Sequence, residues 1–378
     1  MKVRALTAFQ AADERSLGEV VDDAARLLRN GRRILDENGF EVQTVRLAVS
    51  ARPVVHGGDL VGFARDVEAA CQDAGVEYVS LGPIPVGRLD AAPDVIAATS
   101  AVFVSANVTG ERGIDLRAID AAAGVIRRIA SLGADGFGNL RFAAIARCPP
   151  HIPFFPAAYH DGGPPAFGVA LQAADLVNDA VRDRPSLVDA PARIAATFDR
   201  AVAPLDEQAR RIAKRRGHRY LGVDVSPAPF PDDVTSLAGA IETLSGTAFG
   251  GRGTVSAAAA IVQGIRQTKV QRCGFSGLML PVLEDAVLAR RSVEGTFGLD
   301  DLLLCAAVCG LGLDTVPLPG DAPAEGLAQL IGEVATMAVR LEKPLTARLF
   351  PIPGKAAGDV AAFDFPYFAD GRVLPLES

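Results

Sequence analysis

The sequence predicts an α/β fold, a mostly parallel sheet covered by helices, on three observations. Short runs rich in Val, Ile, Leu and Ala alternate with helical segments of ten or more residues, the signature of strand–helix–strand units. Hydrophobic residues make up 49% and charged residues 22% of the 378, which is enough apolar material for a large buried core. Small residues are abundant while aromatics stand at 6% with no tryptophan, a composition that suits close helix-on-sheet packing. Neither a linker nor a short repeat divides the chain, so a single domain spanning 1–378 is expected.

Val3 to Phe9 reads as a first strand. Ser16 with Glu19 three residues later is a capping box, and Val20, Ala24, Leu27, Leu28, Ile34 and Leu35 recur at helical spacing as far as Asn38, where Gly39 supplies a stop. Strands follow at 42–49, 77–81, 101–106 and 141–146, with helices at 59–74 and 115–132. Residues 149–170 interrupt this rhythm. Their prolines and aromatics predict a shaped, irregular loop, and a long ordered loop inside an α/β domain is more often functional than ornamental. Residues 172–216 read as two helices, with Pro204 expected to break the run. A strand at 220–225 precedes helices at 233–244 and 254–269. After them come a helix-like LDDLLLCAAVCG, a strand-like LGLDTVPLPGD, a helix at 323–341 and a strand at 346–352.

A formal net charge of −7 gives no general attraction to nucleic acid or an anionic membrane surface, so neither partner is expected. The basic run at Arg210, Arg211, Lys214, Arg215 and Arg216 reads as a solvated helix end. Five cysteines, at 71, 148, 273, 305 and 309, form no dense framework and suit reduced thiols. No charged-then-apolar leader opens the sequence, and no apolar run approaches the ~18 residues of a membrane span. A soluble, cytoplasmic protein is the expectation, with a homodimer as the commonest assembly.

Several catalytic signatures are missing. No phosphate loop surrounds Lys355, no CxxC pair is present, and Gly274–Phe275–Ser276–Gly277 lacks the spacing of a nucleophile elbow. Gly310–Leu311–Gly312 supplies only two of the three glycines of a dinucleotide loop. What remains is a set of carboxylates at strand ends and turns: Asp224, Glu284, Asp285, Asp314 and Asp321. Such groups hold a hard cation such as Mg²⁺ or Ca²⁺, share protons for acid–base work, or cap helices. Asp224 and Asp321 are the candidate metal ligands. Glu284, Asp285 and Asp314, with His160 in the irregular loop and Cys309 at a helix end, are the candidate catalytic groups. Ser276, Arg348 and Lys355 are the candidate substrate contacts, the two cations for a carboxylate or phosphate and otherwise for salt bridges.

The segments YLGVDVSPAPFPDD, GGRGTVSAAAAIV, GFSGLMLPVLED, CGLGLDTVPLPGD and RLFPIPGKAAGD resemble, in order, those of the DUF711 family, also called the UPF0210 proteins. The resemblance implies a ten-stranded α/β barrel similar to the pyruvate formate-lyase and anaerobic ribonucleotide reductase group. The strand–helix count by itself suits a doubly wound, mostly parallel sheet equally well. Relative to the family the chain is shortened around 172–216 and has Thr235 where relatives carry an Asp. Radical chemistry lacks its residues, since no adjacent cysteine pair and no glycyl loop are present. The functional expectation is therefore a non-radical enzyme, with or without a divalent metal, acting on a small amino- or carboxylate-bearing metabolite. A metabolite-binding or regulatory protein, and a structural oligomer, are the alternatives.

Overall fold

The computed structural model describes residues 1–12, 16–50, 57–308 and 310–376. Its strands in chain order are β1 (Lys2–Ala11), β2 (Val42–Ser50), β3 (Tyr78–Pro83), β4 (Val102–Asn107), the small hairpin β5 (Thr109–Gly110) and β6 (Gly113–Ile114), β7 (Phe142–Ala146), β8 (Ala166–Gln172), β9 (Arg219–Ala228), β10 (Gly312–Pro319), β11 (Leu345–Ile352), and the pair β12 (Val360–Ala361) and β13 (Gly371–Arg372). Nine of these form one sheet in the order β10-β11-β7-β4-β3-β2-β1-β8-β9. Its central five, β7-β4-β3-β2-β1, are parallel. The two outer pairs, β10-β11 and β8-β9, are each parallel internally and join the centre antiparallel, β11 to β7 and β8 to β1.

The α/β expectation is met, with a mostly parallel sheet. Among the described residues, the segment 272–281 meets the two outermost strands through isolated parallel bridges, Arg272 with Val223 of β9 and Pro281 with Asp314 of β10. The irregular loop is shorter than its proline content suggests, because Ala166–Gln172 is strand β8 and pairs along β1. Pro204 does not divide the second helical stretch. Helix Ala190–Arg216 runs through it, preceded by a separate helix Ala174–Val181. Packing outweighs the lost hydrogen bond here: Phe198, Val202, Leu205, Ala209 and Ile212 along the same helix are all buried. The basic run at its end is a solvated face in part, with Arg210 and Arg211 pairing to Asp206 and Glu207 one turn back. Among the described residues no helix is long and apolar enough to cross a membrane.

Alternation along each strand sorts the residues of the sheet into two sets. Helix Leu17–Glu37, with the Ser16–Glu19 capping box formed as the sequence predicts, buries Val20, Ala24, Leu27, Leu28 and Leu35 in the main core with Val3 and Val45. A separate cluster joins Phe9, Ala48 and Phe103 of the central strands to Phe155 and Ala158 of the irregular loop. That loop is anchored by Ser80 Oγ donating to the Ala158 carbonyl at 2.6 Å and Tyr159 Oη donating to the Cys148 carbonyl at 2.9 Å. Ile152, Phe155, Ala157, Ala158 and His160 are all buried in it.

The glycines of GFSG and CGLG turn out to be packing residues. A Cβ on Gly310 would stand 2.7 Å from the Gly277 Cα, so the two backbones touch where any side chain would separate them. Gly310→Ala is therefore expected to lower stability by about 1–3 kcal/mol in urea denaturation, the usual cost of overpacking a tight site. A change below about 0.5 kcal/mol would show that the segments separate freely.

Candidate functional site

Strands rarely carry a charged residue in the middle of a buried run, because the charge must be paired or kept wet. This sheet does so with two aspartates, Asp224 in β9 and Asp314 in β10, and with three arginines. Arg4 lies within β1, Arg46 within β2 and Arg348 within β11, in the runs VRALTAF, TVRLAV and TARLFPI. The three guanidinium groups meet around Glu284. Arg4 donates to Glu284 Oε2 at 2.6 Å and Arg348 donates to Oε1 at 3.0 Å. Through Nε, Arg348 also donates to Asp314 Oδ1 at 2.5 Å, and its guanidinium lies over the Phe154 ring at 5.4 Å. Glu284, Asp314 and Arg348 are each at most 5% exposed.

The electrostatics follow from that burial. Burial works against the charge on Arg348, but Asp314 and Glu284 outweigh it, and its pKa rises. Asp314 moves up as well. Burial and the neighbouring Glu284 favour its neutral form, with Arg348 pulling back. Arg46 is different. Its pKa is pulled down to about 10 by burial and by Arg4, which leaves it charged at neutral pH but held against repulsion. Its Nε donates to Thr44 Oγ1 at 2.9 Å, and its guanidinium lies over the rings of Phe155 and Tyr78 at 5.3 and 5.6 Å. No carboxylate among the described residues pairs with it.

Arg4, Arg46, Glu284 and Arg348 line one cavity of about 110 Å³, together with Gln43, Thr44, Tyr78, Phe103, Leu140, Phe154, Phe155, Phe365 and Tyr367. Three cations face two carboxylates around it, an excess of one positive charge that grows whenever Asp314 is protonated. Such a pocket favours an anion over a cation.

Of the residues singled out in the sequence, Glu284, Asp314 and Arg348 therefore converge, and Glu284 and Arg348 line the cavity. Asp285 does not join them. It is fully buried and accepts from the Leu288 amide, the Ser236 hydroxyl, and the Leu237 and Ala238 amides, so one carboxylate serves the N-termini of helices Ala286–Glu294 and Leu237–Ser245. Asp224 clasps a turn: it accepts from the Ser226 amide and hydroxyl and from the Phe275 and Ser276 amides, which ties β9 to the 273–277 segment. Ser276 belongs to that turn and donates to the Cys273 carbonyl at 2.8 Å.

Asp321 is exposed on the turn after β10, and the structure does not bring it together with Asp224. Nor does it cap the following helix, whose N-cap is Pro323. Lys355 is exposed on a glycine turn and does not line the cavity. Cys309 lies outside the described residues. His160 is buried in the loop, with Nδ1 2.7 Å from Nε2 of His151, whose pKa burial and His160 bring down to about 4. His160 is not among the residues lining the cavity. Arg4 and Arg46 went unnoticed in the sequence, although an arginine inside a buried strand was the available signal.

The family model described as "Uncharacterised ACR (DUF711)" matches residues 1–364 of this chain. A UPF0210 protein from Pyrobaculum islandicum is 32% identical over 389 aligned residues, covering 96% of this chain and 84% of the relative. One from Desulforudis audaxviator is 32% identical, covering 90% and 80%. One from Methanosarcina barkeri is 27% identical, covering 98% and 87%.

If Asp285 is a double cap and not a catalytic group, Asp285→Ala should cost about 2–4 kcal/mol, two lost caps and a buried hydroxyl left without its acceptor. Ligand binding by the folded remainder should be unchanged. Chemical denaturation and a binding titration on the same preparation check both halves.

Proposed function

The chain belongs to the DUF711 family, and from that premise we propose that it is a non-radical acid–base enzyme acting on a small carboxylate-bearing metabolite. The observation that carries this reading is Arg46: a charged guanidinium at a cavity wall, depressed in pKa, with no carboxylate partner among the described residues. A ligand carboxylate placed between Arg46 and Arg4 would supply the missing anion and relieve their repulsion. The aromatic walls would then pack the apolar part of the ligand and exclude water.

Proton transfer falls to Glu284, with Asp314 on the far side of Arg348. Arg348 holds one oxygen of each, fixing their separation. Burial keeps Asp314 towards its protonated form, and Glu284 is held in place by two arginines. A carboxyl group fixed at a cavity wall in this way is placed to remove a proton at one position of a ligand and return it at another. Glu284 lines the cavity and is the base of this scheme. Asp314 holds the Arg348 guanidinium that positions Glu284. A hard cation is not part of this reading, because the Asp224 carboxylate is already taken up by four donors.

One observation favours binding without conversion. Both oxygens of Glu284 are already paired with arginine, so accepting a ligand proton would mean giving up one of those contacts. We also read the fold as a ten-stranded barrel, with residues 272–281 standing between β9 and β10 as an irregular tenth stave. The parallel bridges at Val223–Arg272 and Pro281–Asp314 support this.

The test is a panel of small mono- and dicarboxylates and amino acids, screened by thermal unfolding. A ligand at about a hundred times its dissociation constant adds ~2.7 kcal/mol of stability. Arg46→Met should weaken binding by roughly tenfold to hundredfold, the worth of a charge-assisted hydrogen bond or two. Glu284→Gln should keep binding and abolish turnover followed by mass spectrometry or by deuterium exchange into the ligand. Binding that is indifferent to Arg46→Met would overturn the pocket assignment, and tight binding with no conversion by the unaltered protein would favour a metabolite-binding role.

A further inference from the structure

Away from the arginine cavity, the irregular loop closes on itself as a short clasp. The His151 amide donates to the Tyr159 carbonyl at 2.9 Å, so the two ends of the stretch 151–159 stand side by side. His151 takes a left-handed backbone conformation, φ 70°, which a residue with a side chain adopts only at a cost and only when its surroundings hold it there. That conformation aims its ring at His160. The two imidazoles approach with Nε2 of His151 2.7 Å from Nδ1 of His160, and Asp161 Oδ1 stands 3.8 Å from the same Nε2. One face of the His151 ring system is closed by Phe9, edge-on at 5.3 Å.

We propose that His151, His160 and Asp161 form a binding site for a borderline divalent metal ion of the zinc type. Their ligand atoms lie within 4.8 Å of one another, the one such group among the described residues. Two imidazole nitrogens and a carboxylate oxygen are the donor set of zinc and its neighbours, whereas Mg²⁺ and Ca²⁺ prefer oxygen throughout. For zinc–nitrogen bonds of about 2.1 Å at a tetrahedral centre, ligand atoms stand roughly 3.4 Å apart. Two of the three spacings, 2.7 and 3.8 Å, bracket that value and the third lies within 4.8 Å, so the ion would draw the donors together by ring and carboxylate rotation.

The depth of each donor gives the site a direction. His160 is 3% exposed, the His151 side chain 14% and the Asp161 side chain 47%. The ion would enter from the Asp161 side onto a buried nitrogen floor, leaving an outward coordination position for water or a ligand. Close approach of two imidazole nitrogens is explained by a hydrogen bond when the site is empty and by a shared ion when it is filled. A loop held in strain by its own backbone clasp is explained by the second state, in which the ring orientation has a use.

The experiment uses the full-length, tag-free protein, stripped with chelator and titrated with Zn²⁺ by calorimetry and with Co²⁺ by visible absorption. One equivalent per chain with a tetrahedral-type cobalt spectrum is expected. His151→Gln, and independently the surface change Asp161→Asn, should weaken binding; loss of a direct ligand costs more than about 100-fold if loss of a supporting contact already costs 10- to 100-fold. Circular dichroism establishes that each variant is folded, and Asp161→Asn, being exposed, decides the matter if His151→Gln does not fold. Weakening in either folded variant supports the site. No stoichiometric uptake at micromolar metal, or uptake unchanged in every folded variant, overturns it. Neither result bears on the arginine cavity, whose test uses carboxylates and different residues.

Discussion

Arg348 is the residue around which this structure is arranged. It rises from β11, reaches Asp314 on β10 and Glu284 on the segment before helix Ala286–Glu294, and through Glu284 is joined to Arg4 on β1. The sheet has β10 and β11 at one end and β1 towards the other, with the central strands between them. The ion network therefore connects β1 to the β10-β11 pair, with which it shares no ladder. Desolvating four charges is expensive, and apolar residues of similar shape would often be as stable or more so. Removing one partner alone is costly, about 3–5 kcal/mol in comparable buried pairs, because it strands the others. A network of that kind is poorly explained by stability and well explained by a need for fixed charges beside a cavity.

Arg46 gives the network its functional meaning. It shares the cavity with Arg4 and Glu284 but is oriented by a threonine hydroxyl and two aromatic faces. Cation–π contacts steady a guanidinium without neutralising it. The positive charge is kept available to an anion that enters the cavity.

Much of the fold was legible because local signals and tertiary needs agreed. The Ser16–Glu19 box, the helix at 60–74 and the strands at 42–50 and 142–146 lie where spacing and capping chemistry put them. Two readings failed for tertiary reasons. Pro204 stays inside a helix whose apolar face is wholly buried, and β8 hides behind prolines because its partner β1 selects it. At the site, Glu284, Asp314 and Arg348 stood out as polar groups at strand ends. Asp224 and Asp285 stood out equally and proved to be structural acceptors, since a carboxylate at a turn looks the same whether it caps a helix or faces a ligand. Arg4 and Arg46 were hidden by their own strands, where each reads as one polar position in an alternating run. Only the fold reveals that both project into one space.

The most direct measurement is a crystal structure of the protein soaked with a small dicarboxylate at high concentration. The account requires density for a carboxylate between the Arg46 and Arg4 guanidinium groups, with Glu284 still held by Arg348. Density for the ligand elsewhere, or a cavity in which Arg46 has turned away to pair with a protein carboxylate, would contradict it.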